Sequence, residues 1–328
     1  MDSLNYPVLQ SGDMKVFLTL ITVATFIWFT ACASRDRAQG TDDRERPRPT
    51  PRPESPDSEI KRDLASFAAE AKGKTGVAAL LLETGEYFSL NGSEHFPMQS
   101  VYKLPISMAV LKQFENQRLD LGQKVAVTRD DFVRKGQASY IRDHFPEGRE
   151  ISIRDLIFYA TVESDGTASD VLLRVAGGPE RVQSYLSKWG IDDIKVVNSE
   201  KEIGRDWETQ YRNWSTPEAA VSLLKVLFDE GNLAPAYREM LLSDMTAAKT
   251  GPNRIKGMLE VAPVAHKTGT GGTQNGITSA TNDIGIVALP NGKHIAIAIF
   301  VSDSPADEKT REATIAKLTK VIWNYWKR

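Results

Sequence analysis

The chain has 328 residues, 41% of them hydrophobic, enough to bury a core as one large domain or two intimate ones. Its 41 Lys and Arg stand against 43 Asp and Glu, so there is no basic field of the kind that non-specific nucleic-acid binding requires. Four scattered histidines, His95, His144, His266 and His294, and one cysteine offer no zinc-ligand spacing, so neither a metal nor another cofactor is expected.

In chain order, Met14-Lys15 is followed by the apolar run Val16 to Phe29 and by small residues leading to Cys32. That is the layout of a secretory signal, with Met14 a better start than Met1; the alternative is an uncleaved membrane anchor. Cys32 stands where bacterial lipoprotein signals place the residue that becomes lipidated, although Phe29 occupies a position usually held by Leu. Residues 1–31 are therefore expected to direct export to the periplasm, with Cys32 as the lipid attachment point. The folded part then contains no cysteine. Residues 32–57, rich in Arg, Asp and Pro and nearly devoid of large apolar side chains, are expected to be a disordered tether.

The folded region opens with Ser58 as N-cap and Ile60, Leu64, Phe67 and Ala71 at helical spacing. Gly76 to Leu82 and Glu86 to Leu90 read as a hairpin turning at Thr84-Gly85. Phe96 to Pro105 is a proline-marked start to an apolar helix carrying Ser100-x-x-Lys103. Ser152 with Asp155 resembles a capping box before Leu156 to Val162, Gly177-Gly178-Pro179 separates two helices, and Thr216-Pro217-Glu218 opens another that runs to Gly231. Ile191 to Ser215 lacks periodicity; an ordered loop of that length tends to be functional. Three strand-like runs follow, Val264 to Gly269, Thr278 to Leu289 and His294 to Val301, and then a helix with Ile315, Leu318, Ile322 and Tyr325 on one stripe. The expected fold is α+β (α/β): an antiparallel sheet of about five strands from residues 58–98 and 264–328, flanked by helices, with an all-helical insert over 99–263 and the active site between them.

Three motifs carry chemistry. Residues three apart on a helix share a face, so Lys103 can lie against the Ser100 hydroxyl and activate it without a histidine. Ser and Lys three apart are common on helix surfaces, but this helix is apolar, and a buried lysine needs a partner or a task. Ser164-Asp165-Gly166 breaks two helices and could be only a turn. His266-Lys267-Thr268-Gly269-Thr270 ends a strand and could be only an edge before a bulge. In that order, on a helix, a helix break and a strand, the three are hard to obtain by chance.

Together they resemble the penicillin-recognising serine enzymes, and more narrowly the class A β-lactamases, over Ser58 to Arg328. Ser199-Glu200-Lys201-Glu202-Ile203-Gly204 is similar to that family's Glu-x-x-Leu-Asn element, and Gln210-Tyr211-x-Asn213-Trp214 to a branch with unusual omega loops and often broad cephalosporin activity. The resemblance implies Ser100 as nucleophile, with Lys103 or Glu200 through a water taking its proton. It implies Glu200 as deacylating base, with Glu202 the fallback, and Ser164 relaying a proton to the lactam nitrogen. Backbone N–H groups of Ser100 and Thr270 would form the oxyanion hole. Lys267, Thr268, Gly269, Thr270, Asp165 and Gly166 would hold substrate; Arg254 would bind its carboxylate or form a surface ion pair. Tyr140 would flank the entrance or pack elsewhere. Gly166 stands where an Asn usually contacts substrate, and Gly204 where an Asn commonly helps hold the deacylating water, so slower hydrolysis is expected unless the loop compensates. The implied protein is a monomer acting on a small-molecule β-lactam. The alternatives are a D,D-peptidase or transpeptidase and a β-lactam-binding sensor.

Overall fold

The first strand, Lys74–Leu81 (β1), shows why both faces of the central sheet are covered. Val77, Ala79 and Leu81 belong to one buried cluster, and Ala78 to another, as period-two alternation requires when neither face meets water. His294–Ser304 repeats the pattern, with Ile295, Ile297, Ile299 and Val301 on one side and Ala296, Ala298 and Phe300 on the other. The structure, a computed structural model, describes residues 56–259 and 262–327. The expected signal over 1–31, Cys32 and nearly all of the tether lie outside those residues.

The sheet is antiparallel and draws on both ends of the described chain. With Tyr87–Leu90 as β2, Val264–Thr270 as β3, Ile277–Ala288 as β4 and His294–Ser304 as β5, the strand order is β2-β1-β5-β4-β3, and the short Thr273–Gln274 pairs with β4. The five expected strands are all present. Helices Pro56–Glu70 (α1) and Glu308–Trp326 (α6) cover one face, where Ile60 and Leu64 meet Ile315, Leu318 and Ile322. Helix α1 begins at Pro56, two residues before Ser58, and so takes in the last two residues of the expected tether. Ala71 lies just past its end.

The other face carries the helical insert. Its central helix, Lys103–Gln117 (α2), buries ten residues, among them Lys103, Leu104, Ile106, Met108, Val110 and Leu111, on every side. A helix apolar all round is a core helix. Around it stand Ile153–Val162 (α3) and Gly166–Ala176 (α4). The insert is not all-helical. Lys124–Val127 pairs with Arg149–Ser152, and Trp214 and Ser215 bridge Phe96–Pro97 to Ile194–Lys195. Helix Pro235–Thr246 has no counterpart among the sequence expectations. It buries only Leu241, Asp244 and Met245 and has no side-chain cap, so Pro235 is its one terminus signal.

Candidate active site

Ser100 does not sit in the first turn of α2 but in the 3-10 turn Gln99–Tyr102 that precedes it. In a 3-10 turn residues i and i+3 eclipse, so the three-residue spacing still stacks Ser100 beneath Lys103. Gln99 enters this turn at φ 49°, a left-handed conformation uncommon outside glycine. Asn282 Nδ2 donates to the carbonyls of Pro97 (2.7 Å) and Met98 (3.2 Å) and holds the approach from the sheet side. Gly269 permits the opposite wall. A Cβ there would lie 2.2 Å from the Met98 carbonyl oxygen and 3.3 Å from the Ser100 nitrogen, so only glycine lets β3 come this close.

Ser100, Ser164, Glu200, Thr268 and Thr270 line one cleft of about 540 Å³, a size that suits a small ligand. Behind them lie Lys103 and Lys267, each 1% exposed. Lys103 Nζ donates to the Ser164 carbonyl (2.7 Å) and stands 3.2 Å from Glu200 Oε2. Lys267 Nζ donates to Ser164 Oγ (2.9 Å) and the Thr268 carbonyl (3.1 Å). Ser164 reaches both lysines because it adopts φ 56°, presenting its carbonyl to one and its hydroxyl to the other. Lys103 makes its polar contacts to Ser164 and Glu200, not to the Ser100 hydroxyl. The ammonium is drawn to a full carboxylate instead, and the Ser100 hydroxyl makes no hydrogen bond among the described residues.

Glu200 opens the one-turn helix Glu200–Ile203 (α5). Its backbone N–H and that of Lys201 donate to the two oxygens of Asp170, at 2.6 and 3.0 Å. Burial drives Asp170 up to about 7, against the opposing pull of those two N–H groups. The Glu200 carboxylate accepts a 2.6 Å hydrogen bond from the Tyr102 hydroxyl. Burial opposes its ionisation, but Lys103, the Tyr102 hydroxyl and Lys267 outweigh burial and hold the carboxyl below its ordinary range. Burial, then the charges of Glu200 and Asp170, push the Tyr102 phenol well above its usual value, so it remains a donor. Burial and the neighbouring Lys103 charge push Lys267 well below the usual lysine range, making it a readier proton donor. Of the two loop glutamates, Glu200 and not Glu202 lines the cleft. Glu202 is occupied in a capping box, accepting from the Ser199 N–H at 2.9 Å.

Several expected site residues do other work. Asp165 is fully buried and faces away from the cleft, accepting from Ile141 N (2.7 Å), Ala168 N (2.8 Å) and Ser139 Oγ (3.2 Å). It caps α4 and ties down the preceding loop rather than touching ligand. Gly166 leaves room for Glu200, since a Cβ there would lie 2.6 Å from Glu200 Cγ. Arg254 is neither on the surface nor in the cleft wall. It is 3% exposed, pairs with Glu312 (3.1 Å) and reaches the Gly269 carbonyl (3.1 Å) and Thr270 Oγ1 (2.8 Å), so it acts on the cleft through the end of β3. Tyr140 stacks on His144 and Tyr159, with centroids 3.8 and 5.1 Å apart, away from the cleft lining.

The sequence reading passed over Tyr102, Gln137 and Asp170. Tyr102 lies inside the Ser-x-x-Lys motif, where its phenol could have been questioned as the one polar handle on a buried aromatic. No local pattern marks the other two. Gln210 and Asn213, in the stretch that resembles the unusual omega loops, brace the loop. Gln210 Oε1 accepts from Gln99 Nε2 (2.8 Å) and Ser279 Oγ (2.5 Å), and Asn213 Oδ1 accepts from Val197 N and Asn198 N (2.8 and 2.9 Å).

A family model described as "Beta-lactamase enzyme family" matches residues 58–326. Beta-lactamase VEB-1 of Pseudomonas aeruginosa is 38% identical over 256 residues, 77% of this chain and 85% of its own length. Extended-spectrum beta-lactamase PER-1 of Pseudomonas aeruginosa is 34% identical over 267 residues, 81% and 87% respectively. Among solved structures, a beta-lactamase from Chitinophaga pinensis superposes with a TM-score of 0.79 at 40% identity, covering 81% of this chain and 99% of that one. TLA-3 extended-spectrum beta-lactamase gives 0.80 at 38% identity, covering 83% and 99%.

Proposed function

The chain belongs to the beta-lactamase enzyme family, and we propose that its cleft opens and hydrolyses the lactam through an ester on Ser100. It is a class A serine β-lactamase, whose reaction gives a cell resistance to β-lactam antibiotics. The observation that carries the proposed roles is the Lys103–Glu200 pair at 3.2 Å, bonded through Lys103 to the carbonyl of Ser164.

Ser100 Oγ attacks the lactam carbonyl carbon while the Lys103–Glu200 pair takes its proton, directly or through a water. The oxyanion is held by the backbone N–H groups of Ser100 and Thr270, donors in place before the charge develops. As the C–N bond breaks, Ser164 gives its proton to the nitrogen and is resupplied by Lys267 across 2.9 Å, and Lys267 regains through solvent the proton that the Lys103–Glu200 pair releases, leaving Glu200 ionised again. Water then adds to the ester carbonyl, passing a proton to Glu200, and the Ser100 oxygen leaves with a proton returned. Lys267, Thr268 and Thr270 hold the substrate carboxylate. A peptidase or a non-hydrolysing sensor has no use for a buried carboxylate kept ionised at the acyl position.

The finer reading extends to substrate range and location. Two of the similar proteins are named extended-spectrum enzymes, and cephalosporins are the substrates to try first. The Met14 to Cys32 pattern supports an exported, periplasmic protein, lipid-anchored through Cys32. Labelled palmitate incorporated by the full chain and lost in Cys32→Ser tests the anchor. Glu200→Gln tests the chemistry. It should acylate with a penicillin and keep the adduct by intact-protein mass spectrometry, with turnover reduced roughly 10²–10⁴-fold. Unchanged turnover in that variant removes Glu200 from the base role.

A further inference from the structure

Glu200 and Gly204 are four residues apart along the α5 turn and face the same side. A side chain on 204 would compete with that of Gln137 for one space. A Cβ there would lie 2.7 Å from Oε1, 2.8 Å from Cδ and 2.9 Å from Nε2 of Gln137. The Gln137 carboxamide, from a segment 63 residues upstream of Glu200, fills that space. Its Nε2 donates to the Glu200 backbone carbonyl, which sets the direction in which the amide points. Oε1 is left buried, and it finds no partner among the described residues. Gln137 lines the cleft, alone among the residues there with an unpartnered buried side-chain polar atom. An acceptor in that position costs about 1–3 kcal/mol unless a donor reaches it, and a bound water is the usual remedy.

We infer that Gln137 is a catalytic residue of deacylation, holding the hydrolytic water beside Glu200. The inference rests on the acyl-enzyme reading above. A small rotation of the amide that opens its buried Oε1 to the cleft lets a water donate one proton to it and the other to the Glu200 carboxylate, with the water's lone pair free to face the Ser100 ester carbonyl. The C–O bond to water forms, one water proton moves to Glu200, the C–Oγ bond breaks and Ser100 Oγ regains a proton through Glu200. Gln137 gains and loses none. The amide expected at position 204 is thus supplied from another segment.

The test separates the two steps with nitrocefin, using stopped-flow absorbance for acylation and quenched intact-protein mass spectrometry for the adduct. In Gln137→Leu, acylation should persist while deacylation falls on the order of 10²-fold. kcat and KM then drop together, kcat/KM is kept, and the acid limb of the pH profile does not move. Gln137→Ala combined with Gly204→Asn, which returns a carboxamide from the other side, should recover deacylation relative to Gln137→Ala alone. Wild-type deacylation in Gln137→Leu overturns the inference. So does an equal loss of acylation and deacylation, which would make the amide a support of the loop. A wild-type chain that forms no adduct and turns over no nitrocefin would instead overturn the acyl-enzyme reading, before any variant is made.

Discussion

Tyr102 and Glu200, 98 residues apart in the chain, share a 2.6 Å hydrogen bond that joins the nucleophile's turn to the loop carrying the base. The phenol cannot ionise beside that carboxylate, so the bond has one polarity, with the hydroxyl donating. It stabilises Glu200 as the anion and holds it near Lys103.

Tyr102→Phe removes that donor, along with the phenol oxygen's interaction with Ser169, from a fully buried ring. A hydrogen bond to a charged acceptor contributes about 1.5–3 kcal/mol, so the Glu200 carboxyl should rise by about one pH unit or more. The acid limb of the deacylation rate should move upward by that amount, with acylation at neutral pH little changed. Superimposable pH profiles for the two proteins would show that the bond does not act on the base.

Gly166→Ala places a methyl group 2.6 Å from Glu200 Cγ. Glu200 must swing away from Tyr102 and Lys103, and a displacement of about 1 Å at a reacting group can cost on the order of 10²-fold. The loss should fall on deacylation, visible as an adduct that persists with nitrocefin. Wild-type turnover would show that the glutamate relaxes without cost.

Arg254→Ala leaves Glu312 buried and unpaired and frees the end of β3. Breaking a buried pair from one side costs about 3–5 kcal/mol, so urea unfolding should shift markedly. KM for a carboxylate-bearing lactam should rise through the loosened Thr270. Unaltered stability would mean that solvent reaches Glu312.

Asp170 gives a stability signature with a definite sign. Its carboxyl titrates near 7 in the folded state against an ordinary 3.8, so the folded protein holds that proton more tightly between those values. Stability therefore falls as pH rises from about 4 to about 7, by up to about 1.4 kcal/mol per pH unit. Asp170→Asn should flatten this slope in denaturant unfolding across the interval. It should also cost about 1–3 kcal/mol at pH 8, because one of the N–H groups of Glu200 and Lys201 loses its acceptor. An identical slope in the variant would assign the pH dependence to other groups.

Much of the fold was legible because it is written in short-range periodicity. The two-sided burial of β1 and β5 appears as unbroken apolar runs, and α6 as a stripe with helical spacing. Helix Pro235–Thr246 was not legible, since a segment without a side-chain cap and with few buried positions offers only Pro235 as a local signal.

The catalytic set divides in the same way. Ser100 and Lys103 could be named from sequence because three-residue spacing implies a shared helix face, and Ser164, Lys267 and Glu200 because their short motifs resemble those of the family. The tasks of Asp165, Arg254, Gly166, Gly204 and Gln137 were decided only in three dimensions. A carboxylate can cap a helix or hold a ligand, and a glycine can be a deletion or a space reserved for a side chain dozens of residues away. Which of these holds depends on what fills the neighbouring volume. Residues far apart in the chain share that volume only once the sheet and the helical insert have packed.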